Sequence, residues 1–384
     1  MFSSNTSQVD GGYQISRSLR FNSADSAYLN RTPASAGNRR TWTWSAWVKR
    51  SALSGNAVFA AGDGSTGNRA AIDFDSDQFR VIFGDGTSLI GTTQVFRDPS
   101  AWYHFVVAVD TTQATASNRV KLYVNGSEIT ALSSTSYPAQ NYDTFVNATN
   151  LHTLGARYRT SVDSYFNGYM TEVNFIDGQA LTPSSFGETN AQTGVWQPKA
   201  YTGSYGTNGF YLNFSDNSNT TAATLGKDYS GNGNNWTPNN FSVTAGAGND
   251  SLVDTPTPYG VDTGAGGEVR GNYCTLNAVD NQLTLANGNL DASRTAASWR
   301  TARSTLGMST GKWYWEMTCT GANLTDNFFL IGIANNAAPL TDFIGNNTNS
   351  FGYYNVNGLV YYGSGTTAYG NTWQTNDVIG VAFD

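Results

Sequence analysis

The sequence reads as an all-β protein. Short runs alternating apolar and polar residues recur from end to end, clusters of Gly, Asn, Asp and Ser separate them, and no segment keeps a helical period for three turns. Its 384 residues include 10 Trp, 21 Tyr and 20 Phe, enough apolar surface to offset the ordering entropy of a folded chain. Only 13% of the residues are charged, about half the roughly 25% of ordinary soluble proteins. The surface must therefore be built largely of Asn, Ser, Thr and Gly, and the length suffices for two domains with a core each.

Residues 1–16 read as an N-terminal arm. In TWTWSAWVK, Trp42, Trp44, Ala46 and Val48 share one strand face and Thr41, Thr43, Ser45 and Lys49 the other; Trp47 breaks the pattern. Trp47 is either covered by a loop or the connector, or is an exposed stacking platform. In WYHFVVAVDTT, Tyr103, Phe105, Val107 and Val109 alternate with His104, Val106, Ala108 and Asp110, apolar on both faces as in a central strand. VKLYVNGSEIT turns Val120, Leu122 and Val124 inward, and Asn125-Gly126 supplies the positive φ angles of a tight hairpin. HTLGARY and FNGYMTEVNFID are further strands, and LTPSSFGE offers Thr182 as cap of a helical turn begun by Pro183.

From 191 to 270 the chain becomes rich in Gly, Asn, Ser and Thr, and reads as a connector packed on the neighbouring domain through Trp196, Phe210, Tyr211, Phe214, Trp236 and Phe241. A second β region begins at 271, with KWYWEMTCTG, NFFLIGIAN, FGYYNVNGLVYYG and NDVIGVAFD as its clearest strands. The last, a strongly β-forming run, should have its backbone groups paired, by further chain or by a donated strand. Cys274 and Cys319 are read as free thiols, with a pairing left open.

The net charge of −7 and the lack of any long Lys/Arg run argue against nucleic acid and anionic membranes. No apolar stretch approaches the roughly 20 residues of a spanning helix, and MFSSNTSQVDGG has neither the basic nor the hydrophobic part of a secretion signal.

Residues 17–190 resemble the laminin-G-like group of the concanavalin-A-like lectin/glucanase superfamily, on five landmarks in order: SLRFNSADSAYLNRTP, TWTWSAWVKR, AWYHFVVAVD, NRVKLYVNGSEI, and LGARY followed by FNGYMTEVNFIDGQALTPSSF. The resemblance implies an antiparallel jelly-roll sandwich. Residues 271–384 resemble a SPRY domain in GKWYWEMT, FLIGIA and NDVIGVAFD, and depart from it in stopping where that domain continues, so the expected fold is a partial SPRY-like β-sandwich. Both modules, joined by FSDNS, LGKDYSGNGNNWTPNNFSV and DSLVDTPTPYG, resemble proteins encoded by marine bacteriophages, where such chains are fibres, appendages or decorations.

Glycosidase relatives need paired carboxylates, as in Glu-x-Asp-x-x-Glu on one strand. None of the five glutamates, Glu128, Glu172, Glu188, Glu268 and Glu316, begins that pattern. His104 and His152 sit in strands without a Gly-x-Ser-x-Gly elbow and read as satisfied strand residues; no zinc spacing or phosphate loop occurs. No enzyme is expected.

Calcium is the one cofactor left in play, because laminin-G-like domains bind it at the sandwich rim. Asp228, Ser230 and Asn232 have ligand-like spacing in a Gly-rich loop, with an Asx-type turn as the plainer reading; Asp73, Asp75 and Asp77 share that spacing on a strand, or form a solvated face. Sugar binding needs aromatic rings with polar neighbours. The candidates are Arg157, Tyr158, Arg159 and Tyr165 in the first region, with a surface loop as the plainer reading, and Tyr353, Tyr362 and Trp373 among the crowded aromatics of the second, with ordinary core and inter-strand packing as the plainer reading.

The expected function is a non-enzymatic virion surface protein, made without a signal peptide, that adheres to host polysaccharide and assembles with other virion proteins as a homo-oligomer. A purely architectural cement protein and a polysaccharide depolymerase are the alternatives.

Overall fold

The computed structural model describes residues 13–53, 55–84, 86–258, 269–294, 298–321 and 328–384. The chain divides into two compact units between Tyr273 and Cys274. The described residues form strands with only three short 3-10 turns.

In chain order the first unit contains β1 (Ser18–Phe21), β2 (Tyr28–Arg31), β3 (Thr41–Arg50), β4 (Asn56–Gly62), β5 (Arg69–Asp75), β6 (Gln78–Phe83) and β7 (Ser88–Val95). There follow β8 (Trp102–Asp110), β9 (Val120–Val124), β10 (Ser127–Glu128), β11 (Leu132–Ser136), β12 (Leu151–Leu154), β13 (Arg157–Tyr158) and β14 (Val162–Asp163). Then come β15 (Gly168–Asp177), β16 (Gly187–Thr189), β17 (Trp196–Pro198), β18 (Phe210–Leu212), β19 (Thr237–Asn239) and β20 (Ser251–Leu252). One antiparallel sheet runs β10-β9-β8-β3-β15-β1-β20, with β18 also on β15; the other runs β11-β7-β6-β5-β4-β12-β2-β19.

The core lies between these sheets. Trp42, Trp44, Phe105, Val107 and Leu122 are buried there and Val124 partly so, as period-two alternation requires. Trp44 stacks on Phe59 of the opposite sheet at 6.3 Å between centroids, and Phe79 on Phe105 at 4.3 Å. The hairpin turn forms at Asn125 (φ 46°) and Gly126 (φ 86°), and the Asn125 side chain accepts from the His104 backbone N–H. A 3-10 turn spans Pro183–Ser185; the Thr182 hydroxyl meets Ser184 Oγ rather than capping a backbone N–H.

The described residues from 191 to 273 belong to this unit and cover it. Phe210, Phe214 and Trp236 enter the main core, with Trp236 4.9 Å from Phe210. On the outer face of the β3/β8/β15 sheet, Trp196 packs with Trp47, Trp102 and Tyr169, so Trp47 is covered and not a stacking platform. Polar outer-face groups find buried partners. Lys49 Nζ donates to Asp254 Oδ2 (2.8 Å), Trp102 Nε1 to Asp254 Oδ1 (2.9 Å) and Arg20 Nε to Asp250 Oδ1 (3.0 Å). Each carboxylate compensates a buried donor, and Lys49 Nζ donates also to Asn272 Oδ1 (2.8 Å) and the Tyr273 carbonyl (2.9 Å).

The second unit has β21 (Leu276–Asn281), β22 (Thr284–Ala286), β23 (Asp291–Ser293), β24 (Ala302–Ser304), β25 (Trp313–Thr318), β26 (Leu330–Ala334), β27 (Ser350–Tyr354), β28 (Leu359–Tyr362), β29 (Gly365–Ala368) and β30 (Val378–Phe383). β26–β29 form a four-stranded meander, while β25 pairs with β30 over six residues. Among the described residues no other strand pairs with β30. Its packed centre is Cys319 and Trp373, flanked by Met317, Phe329, Ile331, Tyr353 and Ile379. Both cysteines are free, Cys274 exposed and Cys319 buried.

Candidate functional site

The best-formed candidate site is a pocket on the outer face of the β15 sheet. β15 carries a bulge: Thr171 pairs Trp47 and Asn174 pairs Ser45, so Glu172 and Val173 together oppose Ala46. Met170, Val173 and Phe175 stay in the core, and the extra residue is Glu172, held at φ 54°. The neighbouring edge splits here, because β1 pairs Gly168–Met170 and β18 pairs Val173–Phe175. The Glu172 carboxyl therefore sits where two strands part.

Tyrosines gather around it. Tyr13 Oη donates to Glu172 Oε2 at 2.6 Å, Tyr211 Oη lies 2.8 Å from both carboxylate oxygens, and the two hydroxyls are 2.5 Å apart. Tyr205 donates to Asn174 Oδ1 (2.8 Å), stacks on Tyr211 (6.5 Å) and meets Tyr201 edge-on (5.0 Å). With Tyr229, Thr202 and Ser230 these residues line a surface cavity of about 320 Å³. Burial pushes the Glu172 carboxyl up to about 7, and the tyrosine hydrogen bonds offset this only in part. Burial, with the nearby carboxylate, also raises Tyr13 and Tyr211.

Sequence reading missed this site. Glu172 was weighed only as one half of a catalytic pair, and its partners lie 159 and 39 residues away. The available signal was a lone Glu inside the apolar run GYMTEVNFID.

Arg157, Tyr158, Arg159 and Tyr165 do come together, on and beside the β13–β14 hairpin, all half-buried. Both guanidinium groups are engaged, Arg157 Nε with Asp163 Oδ1 (2.9 Å) and Arg159 Nη2 with Asp163 Oδ2 (2.5 Å). Burial would raise Asp163, but hydrogen bonds from Arg157 and Arg159 outweigh it and hold the carboxyl low. Tyr165 packs beside Tyr28 at 6.0 Å.

In the second unit Tyr353 lies 6.2 Å from Trp373 and 5.2 Å from Tyr369, whereas Tyr362 stacks instead on Phe351 at 4.2 Å. Trp373 is only 3% exposed, so its ring packs the core and offers no stacking face, a correction to its reading as a sugar contact.

The loop at Asp228, Ser230 and Asn232 is knit internally. Asp228 accepts from the backbone N–H groups of Tyr211, Ser230 and Asn234 and from Ser230 Oγ, while Asn232 Nδ2 donates to the Gly206 and Gly209 carbonyls. This is the geometry of an Asx-type turn. Asp73 and Asp75 pair with Arg80, and Asp77, in the turn beyond β5 rather than on it, pairs with Arg50 and Arg97. Among the described residues no group of three or more His, Cys, Asp or Glu is placed to hold a metal.

Both histidines are satisfied. His104 Nδ1 accepts from Trp196 Nε1 (3.0 Å), which leaves Nε2–H for Ser45 Oγ (2.8 Å); His152 Nε2 accepts from Asn147 N (2.9 Å). Burial lowers them to about 3 and about 4. No described helix is long and apolar enough to cross a membrane.

Residues 22–185 match the family model described as Concanavalin A-like lectin/glucanases superfamily, and residues 312–384 match the SPRY domain. The chain thus combines a laminin-G/concanavalin-A-like lectin domain with a SPRY domain, the second match beginning well inside the region from 271. No curated protein sequence matches. Among solved structures, the chain is similar to a native heptameric SAP-like pentraxin from Limulus polyphemus (14% identity, 44% of this chain and 80% of that chain, TM-score 0.35). It is also similar to the Ruminococcus gnavus IT-sialidase CBM40 bound to alpha2,3 sialyllactose (14%, 41% and 85%, TM-score 0.27) and to domains LG4-5 of the mouse laminin alpha1 chain (11%, 53% and 48%, TM-score 0.33).

Proposed function

We propose that this chain is a non-enzymatic glycan-binding protein of a bacteriophage virion surface, in a tail fibre, appendage or decoration. The observation that carries glycan binding is the pocket on β15. Half-buried tyrosine rings stand beside a buried carboxyl and an amide in a cavity of about 320 Å³, a volume suited to a sugar ring. Its single carboxyl has tyrosines as its hydrogen-bond partners rather than a second carboxyl, which supports binding over hydrolysis. The Arg157/Tyr158/Arg159/Tyr165 hairpin and the Tyr353 and Tyr362 surfaces would be secondary contacts, and calcium at the Asp228 loop an accessory ion.

The virion role is supported by the joined modules, the connector motifs and a charge-poor, Gly/Asn-rich surface. Its partners would then be other virion proteins and host polysaccharide, with a homo-oligomer as the assembled state. The test is binding of the chain to a panel of polysaccharides, with reducing-end release followed in parallel. Binding that Tyr205→Ala weakens about tenfold or more, without release of sugar, is expected. Absence of binding to any glycan would leave an architectural role, and sugar release would make the chain a depolymerase.

A further inference from the structure

We propose that the Glu172 pocket takes a protonated primary amine, carried by an amino sugar with a free amine. This deepens the glycan-binding reading of the same pocket and rests on it.

Counting donors and acceptors leads there. The hydroxyl protons of Tyr13 and Tyr211 are directed to Glu172 or to one another, that of Tyr205 to Asn174 Oδ1, and that of Tyr201 to the Ser204 carbonyl (3.0 Å). Asn174 Nδ2 donates to the Glu172 carbonyl (3.0 Å), and Ser230 Oγ to Asp228 Oδ2 (2.8 Å). Around Glu172 the pocket is left with oxygen lone pairs and ring faces, and the Thr202 and Tyr229 hydroxyls, the latter accepting from Ser215 Oγ (2.9 Å), are the lining donors outside this network. A ligand rich in acceptors would meet acceptors. A ligand presenting N–H groups would be matched.

Charge points the same way. Among the described residues no Lys or Arg lines the cavity, Glu172 is its one carboxyl, and Asp228 adds negative potential at Tyr205. Lys227 Nζ stands outside the lining, 5.0 Å from the Tyr229 ring, an instance of a tyrosine face here accepting an ammonium group. An ammonium group can thus bond the carboxylate while resting on aromatic faces, and it offsets the cost of a carboxylate that burial disfavours. An N-acetylated sugar brings a carbonyl acceptor and no charge. An acidic sugar brings a second carboxylate.

Calorimetry on the full chain at pH 7 tests this with three probes: a glucosamine tetrasaccharide, its fully N-acetylated counterpart and lysine amide. The free-amine tetrasaccharide should bind at least about tenfold more tightly than the acetylated one, with Glu172→Gln abolishing the difference. Acetylation makes the same deletion on the ligand, so the result stands if that variant fails to fold. Equal binding of the two tetrasaccharides, or lysine amide binding as well as the free-amine form, would overturn the proposal. Failure of both tetrasaccharides while another glycan binds would overturn it and keep the glycan reading. Failure of every glycan would overturn both.

Discussion

β15 is buried along all ten of its residues, whereas β25 and β30 alternate between half-buried and exposed. By sequence the exposed pair is the more apolar, with four of six residues in WYWEMT and five of six in VIGVAF against five of ten in GYMTEVNFID. What differs is cover. In the first unit one sheet face packs on the opposing sheet and the other lies under later chain up to Asp254, so that Ile176 meets Phe186, Trp47 meets Trp196 and Lys49 meets Asp254. In the second unit Tyr314 is 65% and Val378 54% exposed on one face of the β25–β30 pair. A strand's apolar content sets how much it can bury, and only a second layer turns that into a core.

The sharpest way to break this comparison is to strand a charge in the covered layer. Asp254→Ala leaves Lys49, 1% exposed, without its carboxylate and should cost about 3–5 kcal/mol in denaturant unfolding. Matched substitution of the exposed Glu316 on β25 by Gln should stay within about 0.5 kcal/mol. If the two costs are alike, the outer layer is not the dry environment described.

A pH series on Glu172→Gln sharpens the same point. Glu172 is raised in the fold to about 7 from an ordinary 4.5, so its neutral form is the favoured one. The stability this confers is complete below about 4.5 and is lost as the pH climbs through 7. The variant should therefore match the wild type near pH 4 and gain on it by on the order of 3 kcal/mol above pH 7, read from denaturation midpoints. A constant difference across that range would mean that Glu172 is solvated.

The smallest effect is read by hydrogen exchange. Amides of Gly168–Asp177 should exchange only with unfolding of the first unit, while those of Val378–Phe383, paired among the described residues to β25 alone, should exchange measurably faster but slower than a frayed terminus. Equal protection would mean that something further covers the β30 edge; random-coil rates would mean that the β25–β30 ladder does not hold.

Much of the first fold was legible because its signals are local. Alternation put Trp42, Trp44, Phe105 and Val107 inward, Asn125-Gly126 specified its turn through positive φ, and Pro183 opened its 3-10 turn where φ is preset. Those steps need only the period of a strand and the stereochemistry of single residues, and the sequence by itself determined them. Alternation cannot say whether a face that looks outward will be covered. For that reason alternation left both Trp47 and Trp373 with a packing reading and a surface reading, and the fold covers the one under Trp196 and draws the other into the core beside Cys319.

The candidate site belongs wholly to that second kind of information. Glu172 leaves the core face only because of a bulge opposite Ala46, and its partners Tyr13 and Tyr211 arrive from remote segments. Tertiary structure alone decided that three hydroxyl- and carboxyl-bearing side chains would share one pocket. Burial and long-range pairing are properties of the assembled layers, and no window of neighbouring residues contains them.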